Sequence, residues 1–288
     1  MMNVLILSAG GPAGYGTIKS LKDMNFNGRI ISIDTDELSV GFSMSDKHYI
    51  VPKINDVDYI SILLKIVHKE KIDLILPTGP DVEPISKNAN LFKDKLFMSD
   101  YESIMDCTDK WRFYNKCKDK FALPKTYKGH KLFKKPIIGS GSRGCELIEF
   151  NSNEIVCEYL SGQEYTIDVL CDMKSNPLVV IPRKRLQTKA GISSKGEIIK
   201  NKYIEKACFN ICKFLKLKGP VCIQMKDDDE GNPKFIEVNP RFGGGTYFTT
   251  LAGVNFVKII FDVLNNKEIL INEPKLIKVL RYYEEVII

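Results

Sequence analysis

Apolar residues in the first hundred positions fall into short runs separated by helical stripes. Val4–Leu7 is a β-rich run that ends in Ser8-Ala9-Gly10-Gly11-Pro12-Ala13-Gly14-Tyr15-Gly16, and Thr17, Ile18, Leu21 and Met24 then recur at helical spacing. Arg29–Asp34 is a second apolar run with an acid at its C-terminal end, and His48–Val51 is a third, stopped by Pro52. Ile60, Leu63, Leu64 and Val67 mark another helix, and Ile72–Leu76 is a fourth strand closed by Pro77. Strands alternating with helices predict βαβ units and a parallel sheet covered on both faces. Ligands of such sheets gather at the C-terminal strand ends, which here are Ser8–Gly16, Asp34 and Thr78–Glu83.

From Asp109 the pattern changes. A polar helix is predicted over Lys110–Lys120, carrying Trp111, the one tryptophan. Short strands come next at 132–138, 144–149, 155–159, 164–171 and 177–186, separated mostly by Gly and Ser turns, so this region reads as antiparallel. A helix over 203–215 has its apolar residues on one stripe. A hairpin succeeds it, Val221–Lys226 and Lys234–Asn239 around the turn Asp227–Pro233. A Gly-rich loop (243–245), a helix around 246–264 and a short last strand complete the chain. The expected division is an N-terminal α/β domain over 1–105, a linker helix with a small lid over 106–161, and a C-terminal domain of antiparallel sheet with helices over 162–288.

Composition narrows the class. With 288 residues, 44% hydrophobic and 27% charged, the chain is an ordinary globular protein of about two domains. Its charge of +6 is spread along the sequence, which suits a basic pocket for an anionic small molecule and gives no reason to expect nucleic acid. Eight cysteines form no C-x-x-C pair and the three histidines are scattered, which excludes a zinc ribbon or a thioredoxin motif. Reduced, buried cysteines in a cytoplasmic protein are the reading. The N-terminus is a first strand and not a signal peptide, and no membrane association is expected.

Three segments are candidates for chemistry. Glycines 10, 11, 14 and 16 do not match G-x-G-x-x-G, which disfavours a nicotinamide oxidoreductase, and no G-x-x-x-x-G-K-[ST] loop occurs. Lys134-Lys135-Pro136 followed by Gly139-Ser140-Gly141-Ser142-Arg143-Gly144 is either a loop whose backbone N–H groups close over phosphates or a solvated hairpin tip. In the hairpin, residues 237, 239 and 241 alternate with apolar ones. Folding about Glu230/Gly231 sets Gln224 opposite Glu237 and Cys222 opposite Asn239. Gln224, Glu237 and Asn239 then present three oxygen-bearing side chains on stiff strands, a set suited to Mg²⁺ with substrate phosphates, and Arg241 lies just beyond. Asp227–Asp229 reads as a solvated turn.

The ordered set Lys-Pro with GSGSRG, then Glu158-Tyr159-Leu160-Ser161-Gly162-Gln163-Glu164, Gln224 and Glu237-x-Asn239-Pro240-Arg241 resembles the ATP-grasp superfamily. It is most similar to the ATP-binding modules of the carbamoyl phosphate synthase large subunit and their short stand-alone relatives. The resemblance covers essentially the whole chain and implies a pre-ATP-grasp domain, a lid and an ATP-grasp domain that hold ATP between two antiparallel sheets. By position it implies that Lys135 and Lys110 contact phosphates, that the 139–144 loop covers the β- and γ-phosphates, and that the Glu158, Tyr159 and Leu160 backbone reads adenine. Glu164 would hold the ribose, and Gln224, Glu237 and Asn239 would hold Mg²⁺, with Mn²⁺ as an alternative. Arg241 would stabilise the transferred phosphoryl group.

The activity this resemblance implies is that of an ATP- and Mg²⁺-dependent ligase, which activates a carboxylate as an acyl phosphate for attack by an amine. Its partners would be small-molecule carboxylate and amine substrates, and a homodimer is left open. Glu83, Gly243 and Gly244 are candidate substrate contacts. Arg183, Arg185 and Lys189 are candidate anion contacts, because 183 and 185 share a strand face. The rivals are a carbamoyl-phosphate-synthase-like kinase acting on carbamate or bicarbonate, and a nucleotide-binding regulatory protein without turnover. Two features set the chain apart from the synthase modules: about a dozen residues separate Gly144 from Glu158, and Ser193 stands where those modules often place a histidine.

Overall fold

A computed structural model describes residues 2–129, 131–138, 142–151 and 153–287. The N-terminal region is a four-stranded parallel sheet of order β3-β2-β1-β4, built from β1 (Asn3–Ile6), β2 (Arg29–Asp34), β3 (Lys47–Ile50) and β4 (Leu74–Leu76). Helices α1 (Pro12–Asp23), α2 (Tyr59–Lys69), α3 (Val82–Lys87), α4 (Ala89–Phe92) and α5 (Tyr101–Thr108) connect and cover it. The apolar runs of β1, β2 and β4 therefore form buried parallel strands, whereas β3, at the edge of the sheet, is largely exposed. Helices α3, α4 and α5 are additions to the expected pattern.

Helix α6 (Lys110–Cys117) is capped by Asp109, whose side chain accepts from Trp111 N and Arg112 N, and it ends three residues before the expected Lys120. The segment expected as a lid forms two separate antiparallel pairs, β5 (Thr126–Lys128) with β8 (Ile155–Cys157) and β6 (Lys131–Lys134) with β7 (Glu146–Glu149). The strand expected over 132–138 stops at Lys134, because Pro136 cannot donate to a ladder.

A six-stranded antiparallel sheet of order β13-β12-β9-β10-β11-β14 forms the rest. Its strands are β9 (Glu164–Cys171), β10 (Pro177–Lys189), β11 (Ile192–Ile198), β12 (Gly219–Asp227), β13 (Pro233–Asn239) and β14 (Lys278–Leu280). Helix α7 (Lys202–Phe214) packs on one face of it through Ile204, Cys208, Ile211 and Cys212. The single helix expected around 246–264 is two, α8 (Thr246–Leu251) and α9 (Phe256–Leu264), parted at Gly253, whose φ of +97° is open only to glycine. Both pack on α1, and one core joins Val4, Ile6, Ile18 and Leu21 to Leu170, Ile181, Phe256 and Ile260. The parallel sheet is thereby fixed against the antiparallel one. Cys107, Cys117, Cys171, Cys208, Cys212 and Cys222 are buried free thiols, Cys145 is half-buried and Cys157 is exposed. No helix among the described residues is long and apolar enough to cross a membrane.

Candidate active site

The hairpin register is the one the alternation predicts: Gln224 pairs with Glu237 and Cys222 with Asn239. Gln224 Nε2 donates to Glu237 Oε2 at 3.0 Å, and its amide oxygen accepts from Arg185 Nη1 at 3.1 Å. Arg241 N donates to Asn239 O at 2.8 Å, which turns the chain just after the strand. The Arg241 guanidinium then donates to Phe242 O at 2.8 Å and Asn239 Oδ1 at 3.4 Å, both neutral oxygens. Gln224, Glu237 and Asn239 offer oxygen and neither sulfur nor imidazole, which fits a hard cation. With one carboxylate among the three, phosphate oxygens would have to complete the shell. The three aspartates Asp227–Asp229 do not join this set. Tyr165 OH donates to Asp227 Oδ2 at 3.0 Å, and Asp228 accepts from the turn amides of Glu230 and Asn232.

Beside the hairpin, β9 and β10 bring up Glu164, Arg183 and Arg185. Arg185 Nη1 donates to the Glu164 carboxylate and to Gln224 Oε1 at 3.1 Å, and Nη2 donates to Gly191 O at 2.5 Å. Arg183 is fully buried. It reaches Asp168 Oδ2 and Ser193 Oγ, each at 3.4 Å. Asp168 is also fully buried and accepts from Thr246 Oγ1 at 2.9 Å and Thr249 Oγ1 at 2.7 Å. Gly245 must be glycine here, because a β-carbon would run into the Arg183 guanidinium. Sequence reasoning does not single out Asp168, Thr246 or Thr249. The one signal it offers is an acid in the middle of the apolar run Tyr165–Cys171.

These side chains enclose a cavity of about 120 Å³ lined by Thr166, Arg183, Arg185, Ser193, Gln224, Asn239 and Arg241 among others. A second cavity of about 500 Å³ opens against it, with Ser8, Thr78, Val82 and Glu83 on the parallel-sheet side and Asn239, Arg241 and Gly244 on the hairpin side. Ile192, Asn239, Arg241 and Gly244 line both cavities. Arg241 thus stands where a phosphate in the small space would meet a molecule in the large one. Glu83, in the first turn of α3, is the one carboxylate residue lining the large cavity among the described residues. Ser8, at the strand end, takes a φ of +44° and donates through Oγ to Asp81 Oδ2 at 2.6 Å, with Tyr59 OH on the other carboxylate oxygen.

Other expected residues are placed differently. Gly244 lines both cavities, whereas Gly243 packs against Cys222, where a β-carbon would come within 2.6 Å of Sγ. Burial beside the Asp168 carboxylate pushes the Cys222 thiol up to about 11. Lys189 Nζ donates to Tyr283 OH at 2.7 Å and lines neither cavity. Lys110, exposed at the start of α6, also lines neither. The segment 158–160 is the crossing from lid to sheet. Glu158 N donates to Lys125 O at 2.8 Å, its carboxylate pairs with Lys234 Nζ at 2.7 Å, Tyr159 is exposed and Leu160 is buried. Lys135, Ser142, Arg143 and Gly144 are exposed on the lid, and Ser142 and Gly144 have φ of +56° and +73°. Gly139, Ser140 and Gly141 lie outside the described residues. Arg281 is a residue that sequence reasoning misses altogether. It comes from the far end of the chain, donates to Gly244 O and stacks on Phe248 with its guanidinium carbon 4.9 Å from the ring centroid.

The chain is similar to several known proteins. A family model described as ATP-grasp in the biosynthetic pathway with Ter operon matches residues 151–285, and a model of the PylC-like N-terminal domain matches residues 4–95. The chain is 26% identical over 233 residues to tyramine–L-glutamate ligase of Methanocaldococcus fervens, covering 76% of each protein. The biotin carboxylase–β,γ-ATP complex from Campylobacter jejuni superposes with a TM-score of 0.68 at 14% identity, over 95% of this chain and 73% of that one. The L-amino acid ligase from Bacillus licheniformis superposes with a TM-score of 0.65 at 12% identity, over 92% and 74%. At such identities the structural likeness is one of fold.

Proposed function

We propose, from the premise that the chain belongs to the ATP-grasp superfamily, that it is an ATP- and Mg²⁺-dependent ligase joining a small carboxylate to an amine. The observation that carries this reading is the junction of the two cavities at Asn239, Arg241 and Gly244. Gln224, Glu237 and Asn239 would hold Mg²⁺ together with the phosphates, and Mn²⁺ would satisfy the same oxygen donors. When bound, the metal supplies neutralisation of phosphate charge, which is most of what phosphoryl transfer needs.

The chain's own residues account for the rest. Among the described residues, Arg241 has only neutral oxygens as hydrogen-bond partners. Its charge is therefore available to hold the substrate carboxylate facing the γ-phosphate and to stabilise the acyl phosphate that forms. Glu83, on the opposite side of the large cavity, is the counter-charge for an incoming ammonium group. Glu83 takes one ammonium proton, which frees the amine to attack the acyl carbon, and the amide forms as the C–O bond to phosphate breaks and the departing orthophosphate carries off the second N–H proton. A space of about 500 Å³ is far larger than carbamate or bicarbonate needs, which favours carboxylate–amine ligation over a carbamate kinase.

The relative from Methanocaldococcus fervens supplies the first pair to try, L-glutamate with tyramine. A panel of amino acids as carboxylates and of primary amines as nucleophiles extends it. ADP and orthophosphate formed only when both substrates are present would support the reading. AMP and pyrophosphate as products would overturn it.

A further inference from the structure

A third cavity, of about 460 Å³, lies between α1, α8 and the C-terminal segment, and shares no lining residue with the two already described. Small-molecule sites run to roughly 300–1,000 Å³, so this one has room for a ligand. Tyr15 and Lys19 reach it from one face of α1, four residues apart, and Tyr247 and Phe248 from the start of α8. Tyr282 and Tyr283 bring two further rings from the far end of the chain. Two cations stand among these rings. Lys19 is half-buried, with Nζ 6.0 Å from the Tyr15 ring centroid and 5.7 Å from that of Tyr247. Both rings belong to the cavity wall, so the ammonium group is held against that wall. Arg281 is also half-buried. It donates to Gly244 O and stacks on Phe248, whose other cationic neighbour is Arg183, 5.2 Å from the ring centroid. Neither Lys19 nor Arg281 is paired with a carboxylate among the described residues. Ring faces offset a partly desolvated cation only in part, and a carboxylate does so more fully.

We infer that this cavity is a second ligand site, which takes a small aromatic carboxylate with its ring against the tyrosines and Phe248 and its carboxylate on Lys19. Aromatic walls favour an aromatic guest through offset and edge-to-face contacts. Arg281 adds its charge to the same space, and Glu284, the one acid among the described lining residues, is exposed and opposes a guest of higher negative charge. Arg281 also joins this site to the other two cavities, because the Gly244 carbonyl it holds belongs to a residue that lines both. A carboxylate that draws on Arg281 competes with that bond, so occupancy should shift substrate affinity at the Gly244 side. That consequence rests on the ligase reading; binding itself does not.

The test measures binding of 2-naphthoate to the intact chain by equilibrium dialysis, without nucleotide. The neutral 2-naphthamide and the aliphatic hexanoate serve as comparisons. 2-Naphthoate should bind saturably and at least tenfold more tightly than either. Lys19→Met keeps an unbranched apolar stem without the charge. It should weaken 2-naphthoate at least tenfold and leave 2-naphthamide unchanged, whereas Arg241→Ala should leave both unchanged. The wild-type series needs no variant to fold. No binding of 2-naphthoate, or equal binding of the acid and its amide, would overturn the assignment. Hexanoate bound as tightly as 2-naphthoate would overturn the aromatic class. Affinity lost in Arg241→Ala and kept in Lys19→Met would put the acid in the large cavity as a substrate and overturn the second site. If 2-naphthoate binds as expected and no pair of carboxylate and amine releases ADP, this site stands and the ligase reading falls. If turnover is found and 2-naphthoate does not bind, the ligase reading stands and this inference falls.

Discussion

Asp168 gathers two threonine hydroxyls and one guanidinium in a place that water does not reach. Removing one partner of a buried ion pair leaves the other charged and unpaired, at a cost of about 3–5 kcal/mol. Asp168→Ala should therefore lose stability of that order in denaturant titration, and a loss under about 1 kcal/mol would show that Arg183 finds other acceptors. Glu237 behaves differently. It is half-buried and accepts from Gln224 without an ion pair among its described contacts. Glu237→Gln should keep the melting temperature and abolish ADP formation, since the one carboxylate of the donor set is gone. The face made by Gln224, Glu237 and Asn239 is legible in the sequence because strand alternation and a short turn fix register together. Arg281 is not. Its reach to Gly244 depends on where the C-terminal segment passes, and no local pattern records that.

At the scale of elements, the crossing between lid and sheet is held by charge. The hydrogen bond from Lys234 holds the Glu158 carboxyl below its ordinary value of 4.5, with the Lys125 amide adding to it, and Glu158 in turn holds Lys234 above its ordinary 10.5. A lowered carboxyl contributes stability that is present above its ordinary value and lost as pH falls through the depressed one. A raised lysine contributes below 10.5 and loses that contribution as pH rises through its raised value. Protection of the β5–β8 pair and of the Glu158 amide against hydrogen exchange should therefore fall when pH is lowered past 4.5. Lys234→Ala should shrink that pH dependence to the part the Lys125 amide sustains; an undiminished fall after the substitution would assign it to other groups. The C-terminal segment is a second device of this kind. Arg281→Ala deletes a charge-assisted bond to the Gly244 carbonyl, worth about 1.5–3 kcal/mol, and should raise the KM of the acyl acceptor or donor while leaving ATP binding unchanged. An altered ATP affinity would place its effect elsewhere. Several element boundaries are only partly legible in the sequence. Strand β11 carries Ser193, Ser194, Lys195 and Gly196, a composition that reads as loop, and is held in the sheet by pairing with β10 and β14. Helices α8 and α9 read as one because their apolar periodicity runs through a glycine that the backbone uses to turn.

For the whole molecule, the alternation of apolar runs and helical stripes is enough to give a parallel sheet with an antiparallel one after it, and the motif order is enough to give the resemblance to the ATP-grasp superfamily. The meeting of the two cavities is not readable in this way. It requires Ser8, Thr78 and Glu83 to face Asn239 and Arg241 across some 160 to 230 positions of sequence, and that approach is set by the core joining α1 to α8 and α9. Function thus rests on a packing interface that no single motif encodes. The central claim is that one enzyme, at that junction, spends ATP to activate a carboxylate for an amine. The most direct measurement is transfer of ¹⁸O from the labelled carboxylate of whichever substrate supports turnover. One labelled oxygen should appear in orthophosphate for each amide formed, because the carboxylate oxygen attacks the γ-phosphorus and leaves with it. Label recovered in AMP, or retained wholly in the amide product and its unreacted acid, would contradict that claim.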